Sequence, residues 1–142
     1  MKIAVVYWSG TGNTEAMAQA VAAGAADAGA EVEVFTPADF DASQVDAFDA
    51  LAFGCSAQGA EELEESEFDP MFTACESKLG GKKVALFGSY DWGDGEWMRS
   101  WQTRCIQAGV ELIGDGLIIN NAPDGEGLDR CRALGASLTG SV

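Results

Sequence analysis

The sequence contains no histidine, and only 8 of its 142 residues are Lys or Arg. Without histidine the chain cannot build a Ser–His–Asp triad or a His-ligated metal centre. With 23 Asp and Glu the formal net charge is −15, which argues against binding to nucleic acids or anionic membranes, because both need a basic surface. The charge favours basic partners and salt-sensitive association, although a need for solubility would also explain it.

Long apolar runs and closely spaced cysteines are also lacking. No apolar run approaches the ~20 residues that cross a bilayer, and the N-terminal MKIAVVYW has no small-residue cleavage site, so we expect a soluble, cytoplasmic protein.

The four cysteines stand at 55, 75, 105 and 131 and form no CxxC pair, so neither a metal site nor a redox dithiol is predicted. We expect reduced, mostly buried thiols.

Five strands and four helices are predicted from hydrophobic periodicity. The strands are residues 3–7, 31–35, 49–55 and 82–89, and an interrupted strand at 110–119. A first helix runs through Met17 and Ala25 to Gly29, a second passes through Phe72 and Leu79, a third covers 97–108 before Gly109, and the last covers 128–138. This alternation predicts one α/β domain, residues 1–142, with a parallel sheet covered by helices on both faces.

The loop SGTGNT, residues 9–14, follows the first strand and opens the first helix. Backbone N–H groups at a helix N-terminus attract anions, and Ser9, Thr11, Asn13 and Thr14 add neutral hydrogen-bond donors. A P-loop would need Gly-Lys-Ser/Thr, and a dinucleotide fold would need GxGxxG; both are missing. A phosphate monoester held by neutral donors fits the loop, and the alternative is a tight turn with a Ser/Thr cap.

Two further glycine-bearing loops follow strand ends, CSAQGAEE at 55–62 and SYDWGDGEW at 89–97. The carboxyl ends of parallel strands meet at one edge of a sheet, where ligands bind. The three loops therefore predict a pocket with a phosphate at one end and an aromatic wall, Trp92, at the other.

Four segments resemble the short-chain bacterial flavodoxins: YWSGTGNTEAMA, GCSAQGAEELEESEF, KKVALFGSYDWGDGEWM and the APD of 122–124. The likeness covers nearly the whole chain and keeps the spacing between motifs. It implies a flavodoxin-like, doubly wound open sheet of five parallel strands in the order 2-1-3-4-5. It also implies non-covalently bound FMN and low-potential one-electron transfer between redox enzymes in place of ferredoxin.

The resemblance also implies which residues bind FMN. The phosphate would lie in the 9–14 loop, with Ser56 adding a hydroxyl. Trp92 and the 57–60 loop would flank the isoalloxazine ring, Glu61 would accept from N3–H, and the Gly59 carbonyl would turn toward N5–H in the semiquinone. The full predicted set is Ser9, Gly10, Thr11, Gly12, Asn13, Thr14, Ser56, Ala57, Gln58, Gly59, Ala60, Glu61, Ser89, Tyr90, Asp91, Trp92, Gly93 and Asn121.

Three positions depart from the family pattern. Gln58 stands where a methionine commonly covers the flavin, and Ala60 follows Gly59 where Asp, Gly or Ser is expected. Asp91 replaces a Gly beside Trp92 and either disfavours the reduced flavin or points into solvent.

The acidic run AEELEESEFD, 60–69, has two interpretations: a solvated helix start or a docking face for basic redox partners. The partners implied are basic-surfaced proteins such as ferredoxin-dependent oxidoreductases and a flavodoxin reductase. The carrier itself is expected to be a monomer and not an enzyme.

An FMN-dependent NAD(P)H or quinone reductase on the same fold is the alternative function. A phosphoacceptor regulator is a further one, but it would need an acidic metal pocket and a facing Lys.

Overall fold

A parallel sheet forms the centre of the protein. The computed structural model describes residues 1–10, 12–57, 63–91 and 93–140. The strands are β1 (Lys2–Trp8), β2 (Glu31–Phe35), β3 (Ala50–Cys55), β4 (Lys83–Tyr90), β5 (Glu111–Leu112) and β6 (Leu117–Asn120). The pairings are parallel in the order β2-β1-β3-β4-β5, and β6 also pairs with β4. The predicted fold class and strand order are confirmed.

The interrupted strand predicted at 110–119 consists of β5 and β6. Both lie beside β4: Glu111 pairs with Lys83 at the beginning of β4, and Leu117 pairs with Phe87 near its end. Between them, Gly114 has a φ of 71°, a left-handed conformation that leaves the strand path. The two pieces therefore act as one fifth strand with a break in its middle.

Four helices cover the two faces of the sheet: α1 (Asn13–Asp27), α2 (Phe68–Glu76), α3 (Glu96–Gln107) and α4 (Gly125–Ser137). Successive residues of a strand point to opposite faces. In β1, Ile3 and Val5 accordingly pack with α1 and α4, whereas Ala4 and Val6 pack with α2 and α3. β1 is therefore buried on both sides, which explains its continuous apolar sequence.

Several predictions about the core are confirmed. Trp97 and Trp101 of α3 are buried, Trp101 against Phe68 and Phe72 of α2, and all four cysteines are buried and unbridged. Gly29 and Gly109 follow α1 and α3 with φ of 98° and 78°, so each helix ends at a residue that tolerates the left-handed region.

Within the described residues no helix is long and apolar enough to cross a bilayer.

The second helix is shorter than its apolar pattern predicted. It ends at Glu76, so Leu79 lies in the following turn, where it is fully buried in the α2–α3 core. In the sequence, a buried apolar residue in the turn after a helix continues the apolar spacing of that helix, so the pattern predicts a helix that is too long. Two short 3-10 helices, Pro37–Asp39 and Ala42–Ala47, also connect β2 to β3 and were not predicted, because their polar sequences carry no apolar period.

Helices α1 and α4 cross at a close approach made by two glycines. A Cβ on Gly135 would lie 1.9 Å from the Val21 carbonyl oxygen, and one on Gly24 would lie 1.9 Å from that of Arg132. Both obstacles are backbone atoms, which cannot swing away as a side chain could. The absence of side chains at these two positions therefore sets the distance between the helices.

Gly135→Ala is expected to lower the free energy of unfolding by about 3 kcal/mol, because the methyl group must push α4 away from α1. Gly125→Ala, in the same helix, is the control, since a Cβ there meets nothing within 4 Å, and it should leave stability unchanged or slightly raised. Urea unfolding of both variants measures this. Equal effects of the two substitutions would contradict the packing argument.

Candidate functional site

The loop between β1 and α1 is shaped for a ligand at the helix N-terminus. Gly12 has a φ of 93° and donates its N–H to Ser9 Oγ at 3.0 Å. Among the described residues no side chain caps α1, so its first N–H groups lack the usual partner from the N-cap residue, Gly12. Together with the helix dipole, this leaves a set of donors that suits an anion.

A junction of three buried hydroxyl groups lies beneath that loop. Thr14 Oγ1, in the first turn of α1, lies 2.7 Å from Ser56 Oγ and 3.0 Å from Ser89 Oγ. It also accepts the Ser89 N–H at 3.2 Å. Ser56 follows β3 and Ser89 lies near the end of β4. The junction therefore joins the beginning of α1 to the carboxyl ends of two strands.

The hydrogen-bonding capacity of Thr14 is filled by these contacts. A hydroxyl donates once and accepts twice, and one acceptor position of Thr14 is taken by the Ser89 N–H. Of the two serine hydroxyls, one must therefore donate to Thr14 and the other accept from it. The serine that accepts keeps its own proton for another acceptor.

The loop after β4 is held by two neighbouring asparagines at the end of β6. The Asn121 N–H donates to the Tyr90 carbonyl at 2.7 Å, and the Asn120 amide donates to the same carbonyl at 3.1 Å. Asn120 also reaches the Asp91 carbonyl at 3.4 Å. The sequence predicted Asn121 at the pocket rim but missed Asn120; an amide directly before Asn121 at a strand end was the available signal.

Asp91 and Tyr90 differ in their surroundings. Asp91 is exposed, while the Tyr90 ring is half-buried and packs against Trp97, with the ring centroids 5.5 Å apart. The Trp97 indole N–H in turn donates to the Cys55 carbonyl at 3.1 Å. These contacts tie the loop after β4 to the end of β3.

Glu64 is a buried carboxylate, 8% exposed, in the turn before α2. Its Oε1 accepts the N–H groups of Glu67 at 2.7 Å and Phe68 at 2.9 Å, and its Oε2 accepts the N–H of Ser66 at 2.8 Å and the Ser66 hydroxyl. Burial raises the pKa of Glu64, but the Ser66 hydroxyl and the three N–H groups outweigh it and hold the pKa below its usual value.

The acidic run is therefore more than a solvated helix start. Glu65 and Glu67 are exposed, but Glu64 is folded inward as the acceptor for the first turn of α2. Sequence reasoning missed this role. Its signal was a Glu four residues before Phe68, the first buried residue of the helix, from which a carboxylate can reach the free N–H groups.

A cavity of about 350 Å³ opens on the β2 side of the loop. It is lined by two predicted residues, Ser9 and Gly12, and by Tyr7, Trp8, Glu15, Thr36, Pro37 and Glu67. The Tyr7 hydroxyl donates to Glu15 at 2.9 Å; burial and this hydrogen bond raise the pKa of Tyr7. None of the described residues that line this cavity is basic.

Twelve of the predicted site residues can be placed. Ser9, Gly10, Gly12, Asn13 and Thr14 lie at the β1 end, Ser56 and Ala57 at the β3 end, and Ser89, Tyr90, Asp91 and Gly93 at the β4 end, with Asn121 beside them after β6. Thr11, Gln58, Gly59, Ala60, Glu61 and Trp92 fall outside the described residues. The strand ends predicted to converge are neighbours in the sheet.

Comparison with known proteins identifies the family. A family model described as Flavodoxin matches residues 5–135. The chain is 47% identical to the flavodoxin of Megasphaera elsdenii, over 94% of this chain and 95% of that one, and 48% identical to the flavodoxin of Clostridium beijerinckii, over 84% and 87%. The chain belongs to the flavodoxin family.

The structure agrees with this membership. A solution structure of two-electron reduced Megasphaera elsdenii flavodoxin superimposes with a TM-score of 0.90 at 45% identity, covering 98% of this chain and 99% of that one. Flavodoxins are electron-transfer proteins that carry FMN, and the chain has the length of the short-chain type. Neither the family match nor these relatives supports the reductase alternative.

Thr14→Val is expected to lower the free energy of unfolding by about 1–3 kcal/mol, because the variant keeps the shape of the side chain but leaves the Ser89 N–H and two hydroxyls without their shared partner. Urea unfolding without FMN measures the loss. Thr103→Val is the matched control: Thr103 is exposed and donates only to the Arg99 carbonyl. Equal losses in the two variants would rule out a special role for the junction.

Glu64→Gln is expected to cost about 1–3 kcal/mol of stability at neutral pH, because an amide nitrogen would face N–H donors. Since the folded pKa of Glu64 is lowered, its carboxylate stabilises the fold above the usual Glu pKa. That contribution is lost as the pH falls through the folded pKa. The difference between wild type and variant, measured by urea unfolding, should therefore shrink toward acid pH. A difference that stays constant from neutral to acid pH would show that the carboxylate charge is not involved.

Proposed function

We propose that the chain is a low-potential one-electron carrier that holds FMN across the carboxyl ends of β1, β3 and β4. The observation that carries this proposal is the hydroxyl junction of Thr14, Ser56 and Ser89, which links the three loops predicted to surround the cofactor. FMN supplies the redox chemistry by taking up and releasing single electrons. The protein binds it, orients it and controls its surroundings.

The FMN phosphate binds at the N-terminus of α1 through neutral donors. The uncapped first turn and the left-handed Gly12 suit a phosphate that backbone N–H groups surround. Ser56 reaches the phosphate best if Ser89 donates to Thr14 and Thr14 donates to Ser56, since Ser56 then keeps a free proton. The predicted phosphate residues thus divide into direct donors, such as Ser9 and Ser56, and Thr14, which orients the Ser56 hydroxyl.

The isoalloxazine ring would be held between the loops after β3 and β4. Ala57 donates its N–H to the Ser89 carbonyl at 3.1 Å, which joins the beginnings of these two loops. We assign Trp92 and residues 57–60 to the two faces of the ring and Glu61 to its N3–H. This assignment follows the family pattern and the adjacency of β3 and β4.

We infer a carrier role without enzymatic turnover, in the cytoplasm and as a monomer. The net charge of −15 favours basic-surfaced oxidoreductases as partners, because complementary charge mainly accelerates association. The exposed Glu65 and Glu67, beside the predicted flavin loop, are suited to meet them. A pyridine-nucleotide substrate would call for basic residues near the ring, and neither Lys nor Arg occurs between 55 and 77.

Stepwise reduction by dithionite of the protein loaded with FMN tests the proposal, followed by visible absorption under anaerobic conditions. We expect a yellow two-band flavin spectrum that passes through a blue stage near half reduction and then bleaches. A second sample, mixed with NADPH alone, should be reduced only slowly, because a carrier depends on a separate reductase.

Each result has a distinct meaning. A protein that binds no FMN would refute the assignment of the 9–14 loop to its phosphate. Direct passage from yellow to colourless would argue against one-electron transfer. Fast reduction by NADPH alone would favour the reductase alternative.

A further inference from the structure

The predicted flavin loop leaves β3 at Ser56 and reaches α2 through Glu64, and the structure describes both of its ends. At the beginning, the Ser56 hydroxyl is held by Thr14 and the Ala57 N–H by the Ser89 carbonyl. At the end, Glu64 is fixed by the hydrogen bonds that its carboxylate accepts from Ser66, Glu67 and Phe68. Both ends are thus tied to regular structure.

One sulfur atom joins the two ends to each other. The Glu64 N–H donates to Cys55 Sγ at 3.4 Å, and Cys55 Sγ donates to the Ser56 carbonyl at 3.4 Å. Burial raises the pKa of the Cys55 thiol to about 12, so the thiol stays protonated and can make both contacts. Ser56 and Glu64, at the two described ends of the predicted flavin loop, therefore contact one buried side chain.

We propose that the Glu64 carboxylate and the Cys55 thiol form a clasp that positions the flavin-binding loop, with Glu64 as a positioning residue for FMN affinity. The inference rests on the proposed function, because the loop is assigned to FMN there. Glu64 itself does not touch the cofactor; it acts through the N–H groups that it orders at the beginning of α2.

The carboxylate form of Glu64 is essential to this role. Four donors converge on its two oxygens, and an amide would replace one acceptor by a donor facing donors. Loss of the negative charge by itself would have the opposite effect on FMN binding. Because the phosphate is anionic, removal of any nearby carboxylate lessens repulsion and should leave binding unchanged or tighter.

This difference in sign defines the experiment. FMN is titrated into the protein freed of FMN, and the quenching of flavin fluorescence gives the Kd for wild type, Glu64→Gln and Glu65→Gln. The two variants lose the same charge at adjacent positions, but Glu65 is exposed. We expect Glu64→Gln to raise the Kd about tenfold, the equivalent of one lost charged hydrogen bond, and Glu65→Gln to leave it unchanged or lower.

A second measurement needs no cofactor. Amide hydrogen exchange of the protein without FMN should become faster at Ser66, Glu67 and Phe68 in Glu64→Gln but not in Glu65→Gln, because only the first variant frees these N–H groups. Equal exchange in the two variants would overturn the clasp even if FMN affinity changed.

Cysteine variants test the other half of the clasp and remain available if Glu64→Gln does not fold. Cys55→Ala should weaken FMN binding, whereas Cys131→Ala should not, since Cys131 is equally buried but lies on the opposite side of the sheet. Equal Kd values for these two variants, or for the two glutamine variants, would overturn the inference alone. A wild-type protein that binds no FMN would overturn the proposed function together with it.

Discussion

The buried hydroxyl of Thr14 is the contact on which the arrangement of the site depends. It connects the first turn of α1 with the carboxyl ends of β3 and β4, three elements that are remote in sequence. Backbone pairing fixes the strands relative to each other, but it does not fix where a helix begins above them. The Thr14 hydroxyl fixes the beginning of α1, because it uses its donor and both acceptors and any movement of α1 would break all these contacts together.

The rest of the site continues from that junction in both directions along the sheet edge. Toward β4, the Ser89 carbonyl accepts the Ala57 N–H, while the Tyr90 carbonyl accepts from Asn120 at the end of β6 and from Asn121 directly after it. Toward α2, Cys55 and Glu64 carry the connection to the next helix. Polar groups that would be costly to bury alone are thereby satisfied by one another, and the loop ends become part of the folded core.

The sequence was sufficient for the architecture and insufficient for these contacts. Apolar periodicity placed the strands and helices because burial of whole faces determines it, and the break in the fifth strand was visible as GDG at 114–116. The end of α2 was misplaced because Leu79 continues the apolar pattern beyond the helix. The inward turn of Glu64 was missed because a run of acids looks the same whether one of its members is solvated or buried, and its position four residues before Phe68 was the one local signal. Hydrogen bonds across elements depend on the tertiary structure, and no local pattern encodes them.

The distribution of charge explains why the site must work with neutral donors. Among the few basic residues, Arg104 is bound to Asp69 and Glu76, where it joins α3 to α2, and Arg99 pairs with Asp94. Arg104 thus holds two helices together, whereas Arg99 pairs with an exposed residue just before its own helix. Neither Lys nor Arg occurs in residues 7–15, 55–64 or 89–97, so an anionic ligand at these loops would be bound by oriented N–H and O–H dipoles. Dipoles held in place by the surrounding structure need no reorganisation on binding. A surrounding excess of carboxylates also makes each added electron on such a ligand less favourable. The same scarcity of cations that calls for a hydroxyl-lined site would thus also favour a low reduction potential for a redox ligand bound there, so the two proposed properties would have one physical cause.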